Sequence, residues 1–386
     1  MTHPSPLWET LFWLILALLF LNYVGLYVIL RLAAAFVKPT PNPPQTDQLP
    51  SLSVFVPAFN EESVIGQRVE NLLAQDYPRD RLEIVVGSDC STDRTSDVVR
   101  SCASPGVRLV EFSERKGKLG MIDETVPRLS GEIVVITDAN VRMEAAALRR
   151  MAEQFTDPRV GAACGNLELS PPPQGVNYAR EIRYQLAEIS LKRAMGKLGM
   201  VIGVLGGFYG FRRALFRPIG QPPCNDDLLI PMAVMAQGYR VVFAENARAT
   251  EPASSSGGEA FRRRVRLMPY NLNAISRLAK LAVQAGFLPA LLTFTYKHLR
   301  WLTPYLLLVF IIATLALAGS SPIYTIVAFG LAGVILIGMV GWVLDAAGIQ
   351  APVAGTAYQF IMMNAAAYVG LVRWLKGVKS YWNPVR

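Results

Sequence analysis

The stretch Glu132-Ile-Val-Val-Ile-Thr-Asp138-Ala-Asn140 decides the fold. Its apolar block from Ile133 to Ile136 predicts a strand that is buried on both faces of a sheet. Asp138 and Asn140 follow the carboxyl end of that strand, where ligands bind in open α/β sheets. If the chain stays extended there, both side chains face one side and can bind one hard cation. The alternative is a strand end closed by an Asx turn.

The composition indicates a membrane protein with a soluble middle. Of its 386 residues 52% are hydrophobic, with a mean hydropathy of +0.30, above the roughly 45–50% of soluble proteins. The excess lies at the two ends. The net charge of +9 suits a protein that contacts anionic lipid and fixes its topology by basic loops. No nucleic-acid motif accompanies it, so we expect membrane lipids and no nucleic acid among the partners.

Cysteine and histidine usage narrows the chemistry. The four cysteines show no CxxC spacing, which predicts a reducing compartment and argues against a disulfide framework or a zinc site. His3 and His298 are the only histidines. Histidine-based metal sites and histidine-dependent catalytic triads are therefore not expected.

A long apolar run at residues 11–36, after a short tail at 1–10, exceeds the ~20 residues that span a bilayer. A cleaved signal peptide fits less well, because no basic region precedes the run. Arg31 and Lys38 lie at its carboxyl end. The positive-inside rule therefore puts the middle domain in the cytoplasm, at the inner membrane. Residues 38–50, rich in proline, predict a linker.

Apolar segments recur after the middle domain. A pre-membrane segment at 285–300 precedes three predicted transmembrane helices, at 301–319, 322–344 and 354–373. With the first helix these would put both ends outside, yet the basic tail at 374–386 should lie in the cytoplasm. Either one segment is re-entrant, or the stretch at 287–296 also crosses part of the bilayer.

The middle domain, residues 51–258, alternates strand and helix patterns. Strands are predicted at 52–57, 82–87, 107–110 and 133–137, and helices at 62–75, 95–102 and 119–129. This order predicts a doubly wound, mainly parallel sheet. Residues 259–284 follow as a basic amphipathic helix, which either lies in the membrane interface or packs on the domain.

One polar motif follows each of the four predicted strands: Asn60-Glu-Glu62, Gly87-Ser-Asp-Cys-Ser-Thr-Asp93, Arg115-Lys-Gly-Lys118 and Thr137-Asp-Ala-Asn140. Three more motifs come later in the chain: Gly206-Gly-Phe208, Asn225-Asp-Asp227 and Arg262-Arg-Arg-Val-Arg266. Order and spacing resemble the membrane-bound members of glycosyltransferase family 2, over about residues 50–275. That group includes cellulose, chitin and hyaluronan synthases and bacterial exopolysaccharide and glycolipid transferases. The resemblance implies a GT-A fold, an α/β Rossmann-like cytoplasmic domain flanked by transmembrane helices, with a UDP-sugar donor and Mg²⁺ or Mn²⁺.

The resemblance also implies donor-binding roles. Asp89 matches the aspartate that binds the uracil ring, and Glu62 lies near the same pocket. Lys118 matches a position near the diphosphate. Asp138 matches the first aspartate of the D-x-D metal motif, while Asn140 replaces the second and would be an uncharged ligand. The alternatives are first-turn and capping roles for the acids and a solvated loop lysine.

Asp227 matches the catalytic base of the T-E-D motif, which here reads Asn-Asp-Asp. It would deprotonate an acceptor hydroxyl that attacks opposite the leaving group, which inverts the anomeric carbon. Asp226 beside it is assigned to the acceptor, and repulsion between the two carboxylates can raise one pKa. The alternative for the pair is a helix cap.

The segment Gly206-Gly207-Phe208 resembles the part of the family that receives the acceptor. Arg266 matches the arginine of the Q-x-x-R-W motif and would clamp the diphosphate. The glutamine and tryptophan of that motif are absent, with Arg263 and Leu267 in their places. Because both accompany polymer synthesis in the family, their loss weakens the reading as a processive synthase.

Three functions stay open from the sequence. The first is a metal-dependent inverting transferase that adds one sugar to a lipid-linked or saccharide acceptor in exopolysaccharide or envelope glycan biosynthesis, with other polysaccharide-assembly proteins as partners. The second is a processive synthase that exports its own polymer. The third, suggested by the altered metal and base motifs, is a non-catalytic membrane subunit that binds a glycan or a partner.

Overall fold

The computed structural model describes residues 5–37, 48–102, 104–170, 178–253, 257–349 and 351–377. Most of the predicted linker at 38–50 and of the basic tail at 374–386 lies outside these ranges.

The first apolar run forms α1 (Pro6–Phe20) and α2 (Leu26–Phe36), joined without a break by a π-helical segment, Leu21–Gly25. The helix thus begins five residues before the predicted position, with proline in its first turn, where a missing N–H costs nothing. Residues 6–10, predicted as tail, are helical.

The first half of the middle domain has the predicted alternation: β1 (Leu52–Ala58), α3 (Ile65–Leu73), β2 (Leu82–Ser88), α4 (Thr95–Ser101), β3 (Val107–Glu111), α5 (Gly117–Thr125) and β4 (Ile133–Thr137). β1 pairs in parallel with β2 and β4, and β2 with β3. All of β4 is buried, with Val134 and Ile136 in one apolar cluster and Ile133 and Val135 in another. The sheet is therefore covered on both faces, which is why its strands read as continuous apolar runs.

The second half adds β5 (Arg142–Met143), α6 (Ala147–Glu153), β6 (Val160–Ser170), α7 (Tyr178–Lys197), β7 (Phe208–Arg212), α8 (Asp226–Ala236) and β8 (Arg240–Pro252). Within the described residues the eight strands have the order β3-β2-β1-β4-β7-β6-β8-β5. β7 is antiparallel to both β4 and β6, so the sheet is mixed on this side. The α/β architecture is confirmed, and the parallel part is confined to β1 to β4 and the β6–β8 pair.

The carboxyl-terminal part is helical: α9 (Gly257–Ala285), α10 (Phe287–Thr293), a π-helical segment at Phe294–His298, α11 (Leu299–Leu317), α12 (Pro322–Ala346) and α13 (Pro352–Leu375). The predicted amphipathic helix at 259–284 corresponds to α9. The predicted start of a span at residue 301 is wrong, because the apolar helix runs without a break from Phe287 to Leu317.

Three helices of the described chain are long and apolar enough to cross a bilayer: Pro6–Phe36, Phe287–Leu317 and Pro322–Ala346. The fourth predicted span, 354–373, corresponds to α13. That helix is long enough with 24 residues, but it is less apolar and does not belong to this set.

The apolar helices from both ends of the chain pack into one bundle. Phe12 of α1 stacks on Phe310 of α11 at 5.0 Å between ring centroids and meets the ring of Tyr324 edge-on at 5.0 Å. Within the π-helical segment of the first helix, the Asn22 amide donates to the Thr303 hydroxyl at 2.9 Å. At the other end of that helix, Leu30 and Ala34 are buried in a core shared with the sheet. The bundle therefore rests directly on the α/β domain.

Candidate active site

A cavity of about 1120 Å³ opens at the carboxyl edge of β4. Its walls come from the residues after β3 and β4, the chain before β7, the start of α8 and the inner face of α9. Typical small-molecule sites measure ~300–1,000 Å³. The cavity is therefore large enough for two substrates side by side, at the edge where the parallel strands predicted a ligand site.

Lys118 connects the charged groups of this cavity. Its ammonium donates to Asp138 Oδ1 at 2.7 Å and to the Gly206 carbonyl at 2.8 Å, and lies 3.7 Å from Asp226 Oδ2. Burial alone would lower the pKa of Lys118, but Asp138 and Asp226 outweigh it and raise the pKa above its ordinary value. The lysine is thus a fixed cation beside the carboxylates.

Asp226 and Asp227 form the first turn of α8. Asp226 is buried and accepts a hydrogen bond from the Tyr209 hydroxyl at 2.7 Å, which fixes its carboxylate. Asp227 is only partly buried and lines the cavity. Burial, and then the Asp226 carboxylate, raise the pKa of Asp227 to about 6, against the opposing pull of nearby lysines. A carboxylate with such a pKa suits general base catalysis near neutral pH.

The glycines before β7 bring backbone close to Asp227. The N–H of Val204 donates to the Asp227 carbonyl at 2.8 Å, and a Cβ on Gly206 would lie 3.4 Å from Asp227 Oδ2. Gly206 and Gly207 therefore line the cavity as expected. Phe208 does not: it is fully buried in β7 within the apolar core, so the expected contact with an acceptor is not what the structure shows.

Of the two residues of the predicted metal motif, only Asp138 lines the cavity. The chain turns at Ala139 and Asn140, and the Val141 N–H donates to the Asp138 carbonyl at 3.4 Å. The expectation of an extended chain with both side chains on one side is wrong. Asn140 is exposed and does not belong to the residues that line the cavity.

Asp89 and Glu62 lie behind the cavity wall. The carboxylate of Asp89 is fully buried and accepts hydrogen bonds from the N–H groups of Lys116 at 2.7 Å and Gly117 at 3.0 Å. Glu62 accepts from the Arg94 N–H at 3.0 Å and joins the loops after β1 and β2. Neither side chain reaches the cavity. Asp89 therefore holds the loop that carries Lys118, and its carboxylate is not free to bind a uracil ring.

Arg266 extends from α9 into the cavity. Burial and the neighbouring Arg263 lower the pKa of Arg266. Arg263, Leu267 and Tyr270 line the same wall, so the degraded arginine motif still forms one side of the site.

Several cavity residues were not predicted from the sequence. Glu251 at the end of β8 lies next to Gly207, where a Cβ would be 3.5 Å from its Oε2, and burial raises the pKa of Glu251. Lys192 of α7 and Lys297 of the second π-helical segment reach the wall beside Asp227. Of these residues only Lys297 stands out in the sequence, because it is a charged residue within an apolar run.

Of the carboxylates that line the cavity, Asp138 and Glu251 lie close enough for the charge of Asp138 to act on Glu251, so the two could bind one divalent cation together. Within the described residues no cluster of three or more aspartate, glutamate, histidine or cysteine side chains forms a complete metal site. Mg²⁺, however, is commonly held by one or two carboxylates together with substrate phosphates and water. A cation here would therefore need a diphosphate and water to complete its coordination, and Asp138 and Glu251 are the carboxylates that would hold it.

An α/β sheet with a large charged cavity at the carboxyl edge of its parallel strands is an arrangement in which many enzymes bind nucleotides. The sequence profile described as "Glycosyltransferase like family 2" matches residues 50–268, more than half of the chain. The chain therefore belongs to this family of glycosyltransferases, as its motifs predicted, and has the GT-A fold.

Two curated relatives are similar to part of this chain. Beta-monoglucosyldiacylglycerol synthase of Synechocystis sp. is 32% identical over 165 residues, which is 42% of this chain and 34% of that protein. Poly-beta-1,6-N-acetyl-D-glucosamine synthase of Staphylococcus aureus is 23% identical over 225 residues, 57% of this chain and 54% of that protein. The chain thus spans about a third to a half of these relatives.

One solved structure is similar over nearly the full length. A mannosyltransferase from Pyrobaculum calidifontis, in complex with GDP-Man and Mn²⁺, aligns with a TM-score of 0.70 and 25% identity. The alignment covers 96% of this chain and 100% of that one. The likeness includes the helices outside the sheet, since the α/β domain alone makes up much less of the chain.

Proposed function

We propose that this glycosyltransferase moves a sugar from a UDP-sugar to a lipid-linked or saccharide acceptor, with inversion, at the cytoplasmic face of the inner membrane. The pathway would be exopolysaccharide or envelope glycan biosynthesis. The observation that carries the proposal is the Lys118 ammonium, held between Asp138 and Asp226, with Asp227 beside them in one cavity.

The chemistry follows from these positions. The Asp227 carboxylate takes the proton of an acceptor hydroxyl as its oxygen bonds to the anomeric carbon. The bond from that carbon to the diphosphate oxygen breaks, and the electron pair leaves with the nucleoside diphosphate. Lys118 and Arg266 stabilise the negative charge that develops there. Attack from the face opposite the leaving group inverts the configuration.

Mg²⁺ or Mn²⁺ would add Lewis-acid neutralisation of the leaving diphosphate when bound. The Mn²⁺ in the similar mannosyltransferase supports this requirement. In this chain Asp138 would hold the cation, with Glu251 as the second carboxylate in place of Asn140.

A donor screen with the purified full-length protein tests the proposal. Release of nucleoside diphosphate is measured with UDP-sugars and with GDP-mannose, in the presence of Mn²⁺, for the unchanged chain and for Asp227→Asn. We expect turnover of a UDP-sugar that the substitution abolishes. Turnover of GDP-mannose alone would reject the UDP assignment, and no turnover of any donor would favour the non-catalytic subunit.

A lipid acceptor is supported by the name of the Synechocystis relative, a glucosyldiacylglycerol synthase. The match to a poly-N-acetylglucosamine synthase favours processive synthesis as a second candidate. Product length separates the two: a labelled donor should yield a single-sugar adduct, whereas a ladder of long products would support the synthase.

A topology with three spans would place the basic carboxyl-terminal tail in the cytoplasm, as its charge predicts. The spans would be Pro6–Phe36, Phe287–Leu317 and Pro322–Ala346. α13 would then lie along the cytoplasmic surface against α9, where Gly370 packs on Met268. With this arrangement the chain after α13 stays on the side of the catalytic domain, which removes the conflict that four spans create.

A further inference from the structure

A group of cations lies between the catalytic cavity and the bundle of apolar helices. Lys192 is buried, and its ammonium donates to the Gly203 carbonyl at 2.5 Å. A Cβ on Gly203 would lie 3.3 Å from Lys297 Nζ. Both lysines therefore converge on one backbone position, three residues before Gly206, which contacts Asp227. Arg300, one turn beyond Lys297, is ion-paired with Glu188 of α7.

The positive charge of this group is only partly matched. Burial would raise the pKa of Glu188, but Arg300, Lys192 and Lys297 outweigh it and lower the pKa to about 2, so Glu188 is ionised. It pairs with Arg300 and accepts a hydrogen bond from Tyr296. Lys297 places its ammonium 4.3 Å from the centroid of the Tyr296 ring. Among the described residues, Asp227 is the other carboxylate whose charge acts on Lys297, so three cations face two carboxylates at the inner end of the cavity.

A second, smaller cavity adjoins this group on the side of the apolar helices. It measures about 120 Å³, and its walls include Tyr23 and Tyr27 of the first helix, together with Arg300. Tyr184 and Glu188 line both cavities. The cations therefore lie between the two cavities. A molecule that entered between the first apolar helix and α11 would contact them before it reached the active site.

The backbone at this level is irregular in both apolar helices. The two π-helical segments, Leu21–Gly25 and Phe294–His298, pack against each other there. π-helical turns are rare and frequent at functional sites, and ionisable side chains within apolar spans usually mark a ligand or ion path.

From these observations we infer that Lys192 and Lys297 bind a phosphate group of the acceptor lipid, with Arg300 at its entrance. The acceptor is then an anionic lipid that carries its phosphate near the attacking hydroxyl, not a neutral glycerolipid. This assignment rests on the proposed transfer reaction for the role of the lipid as acceptor, but the binding itself does not require turnover. Ammonium groups bind phosphate as point charges, and low-dielectric surroundings strengthen the attraction.

Binding of radiolabelled hexadecyl phosphate to the full-length protein in phosphatidylcholine nanodiscs tests the inference, without any sugar donor. Hexadecanol and inorganic phosphate serve as unlabelled competitors, one with the tail alone and one with the phosphate alone. We expect competition by unlabelled hexadecyl phosphate only. Lys192→Met and Lys297→Met should each weaken binding by about tenfold, as for loss of one charged hydrogen-bond partner. Lys297→Arg should retain binding.

Lys280→Met is the matched control, since it removes an exposed lysine of α9, and it should leave binding unchanged. Equal competition by inorganic phosphate would assign the site to free phosphate and overturn the lipid assignment, as would equal competition by hexadecanol. Unchanged binding by Lys297→Met, with only the pH profile of turnover shifted, would mean that the lysines serve Asp227. Selective lipid binding without donor turnover would reject the transferase proposal while the phosphate site stands.

Discussion

At the scale of single residues, Asp227 combines two opposing influences. Burial and the Asp226 carboxylate disfavour its charged form, whereas the nearby lysines favour it, and the net effect is a pKa of about 6. An ordinary aspartate has a pKa of ~3.9. Asp227 is therefore ionised, yet basic enough to accept a proton, near neutral pH.

Asp227→Asn should lower turnover by about 10²–10⁴-fold, the usual contribution of a general base. In the unchanged chain, turnover should fall as pH drops through about 6, because protonated Asp227 cannot accept a proton. Nucleoside diphosphate release across pH measures both effects. Asp80→Asn, an exposed site, is the control. Near-full activity of Asp227→Asn would contradict the assignment.

The same pKa predicts an effect on stability. Because the folded pKa of Asp227 lies above the unfolded value, the folded state binds the proton more tightly, and stability is lost as pH rises from about 4 to 6. Above pH 7, Asp227→Asn should therefore be more stable than the unchanged chain by about 1–3 kcal/mol. The difference should vanish near pH 4. If Asp227→Asn were less stable than the unchanged chain at pH 8, the charged Asp227 carboxylate would not be destabilising the folded state.

The metal prediction distinguishes three neighbouring side chains. Asp138→Asn and Glu251→Gln should each raise the Mn²⁺ concentration for half-maximal turnover by about tenfold or more, the scale of losing a charged ligand interaction. Asn140→Ala should change it little, because Asn140 is exposed outside the cavity. Titration of Mn²⁺ after chelation measures this. A large effect of Asn140→Ala would restore it as the second ligand.

The sequence identified the site residues that belong to local motifs. Lys118, Asp138 and the aspartate pair of α8 follow strands or begin a helix, so their place follows from strand order and motif spacing. Glu251, Lys192 and Lys297 reach the cavity through contacts between segments distant in the chain, which no local pattern encodes. The predicted position of Asn140 was wrong because the chain turns after Asp138, where an extended backbone was expected. Such a turn depends on the dihedral angles of two residues, which the local pattern did not indicate.

At the scale of elements, buried parallel strands were the most predictable, because each is a continuous apolar run followed by a polar motif. α7 was missed, since its 20 residues carry charge around most of the helix and show no apolar stripe. It is nevertheless central, contacting α2 and β8 and supplying Lys192 and Glu188. Its position comes from tertiary packing, which can override weak local preference.

Packing between α12 and α13 depends on a glycine. A Cβ on Gly341 would lie 2.0 Å from the Ala354 carbonyl oxygen, whereas one on Gly333 of the same helix meets nothing within 4 Å. Gly341→Ala should destabilise the protein by about 1–3 kcal/mol through overpacking. Gly333→Ala should be neutral or slightly stabilising. Thermal unfolding of the full-length protein compares them, and equal melting temperatures would contradict the observed helix contact.

At the scale of the whole molecule, contacts orient the bundle relative to the domain. Arg300 at the start of α11 pairs with Glu188 of the domain, so this end of the bundle lies next to the sheet. At the opposite end, the Tyr324 hydroxyl at the start of α12 donates to Glu9 of α1 at 3.2 Å. The turn between α11 and α12 therefore lies far from the domain.

α12 then returns toward the domain. Gly341, which contacts Ala354 at the start of α13, lies roughly 28 Å along α12 from Pro322 at 1.5 Å per residue, close to the ~30 Å of a hydrocarbon core. The other end of α13 is at the catalytic cavity, where the Trp374 indole N–H donates to Asn273 at 2.8 Å. Both ends of α13 thus lie on the side of the domain, which argues for three spans and against a fourth.

Cysteine labelling in intact cells checks this topology, in a background with Cys90→Ser and Cys102→Ser so that only buried cysteines remain. A membrane-impermeant maleimide should label Ser320→Cys, in the turn between α11 and α12, from outside. Lys376→Cys, just after α13, should react only once the membrane is opened, as should Cys90 in a separate control protein that keeps Cys90 and carries only Cys102→Ser. Both three-span and four-span arrangements expose residue 320, so the decisive position is 376. Labelling of Lys376→Cys in intact cells would show that α13 crosses the bilayer, and its protection would place α13 with α9 on the catalytic side.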